Sequence, residues 1–227
     1  MRLIPVASLL CLSSLVKAYT YGWGTSWSIG LTPSSSIIEA RTTFIPGVPP
    51  DPATQYGEIY LWPGLTNGTG DLLQTTIEQW PDQSWCGGTA GQWCLRTSVF
   101  GKSGQFDGAF APLSANQPVT ITFQRSANKT SWTQTAAVDG KVISQLTSPS
   151  GPMTGWGVAT ECVDDCSPAV STQTYLDTKI VLEKADPTFG ETTKVGIAGA
   201  GTVVSGLRSL EGGKVWHIAK ITVPKSA

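Results

Sequence analysis

Asp71-Leu-Leu-Gln-Thr-Thr-Ile-Glu-Gln-Trp80 is the stretch on which the reading of this chain turns. In an extended strand, Gln74, Thr76, Glu78 and Trp80 share one face, and Leu73, Thr75, Ile77 and Gln79 share the other. The same texture recurs along the chain. Apolar runs are short, rich in β-branched and aromatic residues, and bounded by Gly, Pro, Asn or Ser. They predict strands at Ile37–Ile45, Tyr56–Trp62, Leu72–Trp80, Gln92–Phe100, Phe106–Phe110, Val119–Gln124, Trp132–Val138, Val142–Leu146, Gly155–Thr160, Thr172–Glu183, Thr192–Ile197 and Val215–Val223. Asp139-Gly140 is a hairpin turn between two of them. No stretch keeps a helical period, and there are 25 glycines. The fold class expected is all-β, a jelly-roll sandwich of two antiparallel sheets. Asp186 to Gly213 is looser and glycine-rich, and reads either as two extra strands or as a flap.

Residues 1–18 read as a signal peptide, with Arg2 as a short positive region, an apolar run from Leu3 to Val16, and Val16-Lys-Ala18 as the cleavage site. That run is shorter than the roughly 20 residues that span a bilayer, and Pro5 breaks it. The expectation is a secreted protein, with residues 19–227 as one β-sandwich domain. Tyr19 leads almost directly into that domain, which leaves no room for a long propeptide. Fifteen Lys and Arg stand against 16 Asp and Glu, only 14% of the chain. No electrostatic footprint for nucleic acid or anionic lipid follows from that balance, and a monomer is expected. Cys11 falls in the signal peptide. The other four cysteines read as two disulfides, with the local pairs Cys86–Cys94 and Cys162–Cys166 favoured because each closes a short loop. Neither a metal nor a cofactor is expected, since the cysteine spacing does not suit zinc and the single histidine, His217, is far away. Asn67-Gly-Thr69 and Asn128-Lys-Thr130 are glycosylation sequons, which places both in exposed loops.

The residues with chemistry to offer are Gln74 and, at long range, Glu161 in Gly155-Trp-Gly-Val-Ala-Thr-Glu161-Cys. A carboxylate handles a proton, and a carboxamide stays neutral at every pH and can donate to a developing oxyanion. Trp62, Trp80, Trp93 and Trp156 cluster near these two motifs and, with Glu78, are candidate walls of a substrate groove. Glu78 is as readily a surface carboxylate, and Asp164 and Asp165 read as a solvated loop. His217 has no nucleophile as a partner and reads as a structural histidine.

Tyr60-Leu-Trp-Pro-Gly-Leu65 followed by Gly70-Asp-Leu-Leu-Gln74-Thr-Thr-Ile-Glu78, together with Val158-Ala-Thr-Glu161-Cys-Val-Asp-Asp-Cys166, resembles the fungal glutamic peptidases, the eqolisins. The resemblance implies a concanavalin-like sandwich in which Glu161 is general base towards water and Gln74 binds the oxyanion. The chain departs from that family's pattern at three places. Leu65 follows the Trp-Pro-Gly turn where the family carries an aspartate. Gly157 stands four positions before the glutamate where the family has an acidic residue. Arg96 occupies the next strand in place of a carboxylate.

Three functions fit these residues: a secreted acid-acting glutamic-type peptidase on peptide substrates; an acid/base enzyme (cyclase, isomerase or lyase) acting on a small molecule of fungal secondary metabolism; or a carbohydrate-binding or glycan-active jelly roll. Fold alone does not separate them.

Overall fold

The computed structural model describes residues 21–30, 32, 34–51, 53–54, 56–102, 104–167, 170–196 and 201–225, with residues 21–23 and 165–167 as backbone only. The expected signal peptide lies outside the described residues. Fifteen strands are described: β1 (Tyr21–Ile29), β2 (Ile37–Ile45), β3 (Tyr56–Thr66), β4 (Leu72–Gln79), β5 (Trp93–Gly101), β6 (Gly104–Leu113), β7 (Val119–Arg125), β8 (Ser131–Val138), β9 (Lys141–Pro149), β10 (Gly155–Ser167), β11 (Gln173–Leu182), β12 (Lys194–Val195), β13 (Val203–Ser205), β14 (Arg208–Leu210) and β15 (Val215–Val223). They form two antiparallel sheets. One runs β12-β1-β10-β3-β4-β5-β6 and the other β13-β15-β11-β2-β7-β8-β9, with β14 also paired to β15.

The two inner faces meet in one core. Leu73 and Ile77 of β4 join Leu61, Leu65, Trp93, Leu95, Trp156, Val158, Trp27 and Ile29 from the first sheet. Phe44, Ile121, Phe123, Trp132, Tyr175, Ile180 and Ile218 face them from the second. Phe44 and Tyr175 stack with ring centroids 4.3 Å apart. Each such side chain contributes about 1.5–3 kcal/mol on burial, so the alternation read from the sequence is the main organising force.

The segment from Asp186 to Gly213 is neither a simple strand pair nor a flap. It leaves the second sheet, makes a short 3-10 turn at Phe189–Thr192, adds β12 to the free edge of β1, and returns as β13 and β14 beside β15. Asp186 anchors the departure, accepting hydrogen bonds from Thr32 Oγ1 (2.6 Å), Ser34 Oγ (3.1 Å) and Thr188 Oγ1 (2.7 Å). Thr192 Oγ1 accepts the Gly30 N–H at 2.7 Å and donates to the Phe189 carbonyl at 2.6 Å. The strand β1, absent from the sequence expectations, thus has both of its sides paired.

Cys86 and Cys94 form a disulfide with their Cα atoms 5.9 Å apart. Cys162 is also disulfide-bonded, while the side chain of Cys166 lies outside the described residues. Asn67 and Asn128 sit in turns, where each Oδ1 accepts the hydroxyl of its own sequon threonine at 2.9 Å. His217 lies on β15, in the second sheet, 3.7 Å from Asp177. No helix among the described residues is long and apolar enough to cross a membrane.

One end of the second sheet is tied by charge. Arg125, at the end of β7, meets Glu183, just past β11, at 3.0 Å and donates to Ser36 Oγ at 2.8 Å. Ser36 Oγ donates to Glu183 at 3.0 Å, and Lys129 also pairs with Glu183. These donors hold the Glu183 carboxyl down at about 2. The native state therefore binds its proton more weakly than the unfolded chain does. Its contribution to stability is full above the ordinary glutamate range and is lost as pH falls towards 2. Glu183→Gln is expected to lower the unfolding midpoint at pH 7 and to match the wild type near pH 2, measured by denaturant unfolding across that range.

Candidate functional site

The outer face of the seven-stranded sheet carries the polar residues singled out above, and strand register decides which of them meet. Along β3, Tyr60 pairs with Glu161 of β10 on one side and with Glu78 of β4 on the other. Gly64 pairs with Gly157 of β10 on one side and with Gln74 of β4 on the other. Glu161 and Gln74 thus lie in different rows, four residues apart along the strands and two strands apart across them. At 3.3 Å of rise per residue, the offset along the strand direction alone is about 13 Å. The structure does not bring together the pair that the sequence suggested. What faces Gln74 across β3 is Gly157.

The two rows are different environments. The row of Gln74 is nearly bare. A Cβ at Gly64 would lie 2.7 Å from the Leu73 carbonyl oxygen, and one at Gly157 would lie 3.0 Å from that of Trp27. Only glycine fits at Gly64 without a shift in the backbone. A cleft of about 320 Å³ opens over these glycines, bordered by Ser26 and Ser28 of β1, Gly30 just past it, Trp62 of β3, Gly155 of β10 and Lys194 of β12. Gln74 is 7% exposed, and its Oε1 accepts no hydrogen bond from the described residues.

Glu161 lies one pleat beyond Ala159, which borders the cleft and pairs with Trp62. Burial pushes the Glu161 carboxyl above the ordinary glutamate value, and the nearby Trp62 indole N–H draws it back. The two are not joined by a hydrogen bond of good geometry, because the Trp62 Nε1 has no partner among the described residues. The carboxyl is thus half-buried beside an aromatic wall, with no cation within ion-pairing distance among the described residues.

Glu78 has the opposite surroundings. It is fully buried on the outer face, with Arg96 Nε at 2.7 Å and Arg96 Nη2 at 3.3 Å, and Thr76 Oγ1 donates to it. Arg96 also meets Asp107 at 2.8 Å and lies over the Trp85 and Trp80 rings at 5.1 and 5.9 Å. Trp85 packs against Phe110 at 5.6 Å, and Tyr60 meets Trp80 edge-on at 6.4 Å, which roofs the ion pair. Burial is the largest influence on Glu78 and pushes its carboxyl up, against the pull of Arg96. Glu78 is therefore a buried ion-pair partner and not a free groove carboxylate.

Among the expected groove tryptophans, Trp62 borders the cleft and Trp80 stands at the ion-pair end of the same face. Trp93 does not line the groove. It follows core parity on β5, is fully buried, and its Nε1 donates to the Gly47 carbonyl at 3.1 Å. Trp156 packs in the core edge-to-face on Trp27 and touches the cleft only at its border. Sequence reading missed Ser26, Ser28, Lys194 and Trp85. A signal for the first two was present, because Thr25, Trp27 and Ile29 alternate with Gly24, Ser26 and Ser28. No group of three or more His, Cys, Asp or Glu side chains among the described residues could hold a metal ion.

No family model matches the chain, and no curated protein matches it. Solved structures do. Crystal structures of scytalidoglutamic peptidase, one with a peptide-based transition-state analogue and one with a transition-state analogue inhibitor, are similar over 89% of this chain and 99% of theirs. The TM-scores are 0.52 and 0.51, at 15% identity. A carbohydrate-binding module, CBM66 from Bacillus subtilis, overlaps 65% of this chain and 92% of its own at a TM-score of 0.35 and 9% identity. The glutamic peptidase likeness is one of fold, a β-sandwich shared at a distance.

Arg96 supplies the test of the ion-pair assignment. Removing one partner of a buried pair leaves the other charge unpaired, which costs about 3–5 kcal/mol. Arg96→Met is expected to destabilise the protein by that order at pH 7. The double variant Arg96→Met with Glu78→Gln should recover much of the loss, as measured by urea unfolding.

Proposed function

We propose that the protein is a secreted, non-proteolytic acid/base enzyme acting on a small, largely apolar molecule in the glycine-floored cleft. Glu161 is the group that moves the proton, and the Gln74 carboxamide is a hydrogen-bonding partner for the ligand. The observation that carries this reading is the strand register that sets Gly157, and not a carboxylate, opposite Gln74. A glutamic-type peptidase needs a base and an amide converging on one water and one carbonyl, within about 3 Å of both. An offset of about 13 Å along the strands argues against that convergence.

The remaining geometry supports proton transfer within a single substrate. A carboxyl raised by burial exchanges its proton nearer to neutral pH, where it works both as acid and as base. Glu161 takes a proton from one atom of the substrate and returns it to another, so that isomerisation or cyclisation balances with no second reactant. Elimination of water balances in the same way. Trp62 offers a flat apolar wall to a ring system. The Gln74 Oε1 is buried and finds no donor among the described residues, and a buried polar atom left unmatched calls for a partner, which a donor on the ligand would supply. The specific observation that favours the peptidase reading instead is the likeness of fold to scytalidoglutamic peptidase.

A paired assay separates the two. The purified protein is incubated with a denatured protein between pH 2 and 5, and separately with culture extract of the producing organism followed by mass spectrometry. No proteolysis is expected at any pH. One extract compound should be converted to a product of equal mass, or of mass lower by one water, by the wild type and not by Glu161→Gln. Proteolysis lost in both Gln74→Ala and Glu161→Gln would establish the peptidase instead.

A further inference from the structure

The cleft has one charged residue on its border, Lys194 of β12. Its position is built by the fold. Lys194 and Val195 pair with Ser28 and Trp27 of β1, and the Gly196 N–H donates to the Ser26 carbonyl at 3.0 Å. Residues directly opposite on paired strands point to the same face. Trp27 and Ile29 are in the core, so Ser28 and Lys194 both belong to the outer face that carries the cleft. Lys194 is exposed and has no acidic partner within ion-pairing distance among the described residues.

From this we infer that the cleft takes an apolar molecule ending in a carboxylate, with the acid group held by the Lys194 ammonium beside the Ser28 hydroxyl. The inference rests on the proposed acid/base reaction and names the substrate class for it. A cleft with an apolar floor and a single cation at its rim selects for charge at one end of a ligand and not along its length. The same register bounds the ligand's length. Ser28 lies opposite Gly157, and Glu161 is four residues further along β10. The backbone rungs that carry Lys194 and Glu161 are therefore about 13 Å apart along the strand direction, and a ligand that meets both side chains spans what their reach leaves of that distance. A peptide would bring polar amides onto a floor that has little to pair with them. A ring or chain acid brings only its terminal charge, which the lysine and the serine hydroxyl match with charge-assisted hydrogen bonds.

Calorimetric titration with 2-naphthoate and its neutral counterpart 2-naphthamide tests the assignment. On the wild-type protein at low salt, the acid is expected to bind about tenfold more tightly than the amide, in line with a hydrogen-bonded charge. Lys194→Met, at an exposed position, should erase that preference and leave amide binding unchanged. Glu161→Gln should keep it. Equal binding of acid and amide, or a preference that survives in Lys194→Met, overturns the carboxylate assignment while leaving the proposed reaction standing. Binding of neither probe overturns the assignment of the cleft itself, and with it the substrate class proposed for the reaction.

Discussion

The hydrogen-bond ladder on either side of β3 is the constraint from which the rest of the outer face follows. Each strand shows alternate residues to the two faces, so pairing fixes both what lies in the core and what lies in each outward row. With Tyr60 opposite Glu161 and Glu78, Leu61 and Leu65 turn inward, and Gly64 is left opposite Gln74 and Gly157. A slip of two residues would keep every core side chain inside, yet it would change which polar groups are neighbours. The register is therefore decisive for chemistry in a way that the core pattern is not.

Two carboxylates in one row show how environment sets role. Glu78 and Glu161 flank Tyr60 from opposite sides, and burial pushes both upward. Glu78 is answered by Arg96 and Thr76 under a roof of Trp80 and Trp85, which makes it a structural ion pair. Glu161 is half-buried beside Trp62 and opposite Tyr60, with no Lys, Arg or His in ion-pairing distance among the described residues. The tryptophan count that looked like a groove in the sequence divides accordingly between core, roof and cleft wall.

Much of the sandwich was legible in the sequence because burial leaves a period-two record. The strands Ile37–Ile45 and Val215–Val223 have the bounds expected, and the inward face of Leu72–Gln79 carries Leu73 and Ile77 as the alternation predicts. Strand β1 was missed because glycines and serines on its outward side dilute the apolar signal of Trp27 and Ile29. Those same small residues make the cleft. Parity also places Trp93 inside, which proximity to the motifs in sequence does not reveal. The relation of Gln74 to Glu161 was not legible, since two motifs some ninety residues apart carry no record of the rung on which they meet a third strand. Lys194 belongs to a two-residue strand whose position depends on Thr192 and Gly30, far apart in the chain.

Cross-strand nuclear Overhauser effects between backbone protons of β3 and β10 test the register most directly. Contacts of Gly157 with Gly64 and of Glu161 with Tyr60 are the result expected. Contacts of Glu161 with Gly64 would place the carboxylate opposite Gln74, restore the peptidase pair, and contradict the account.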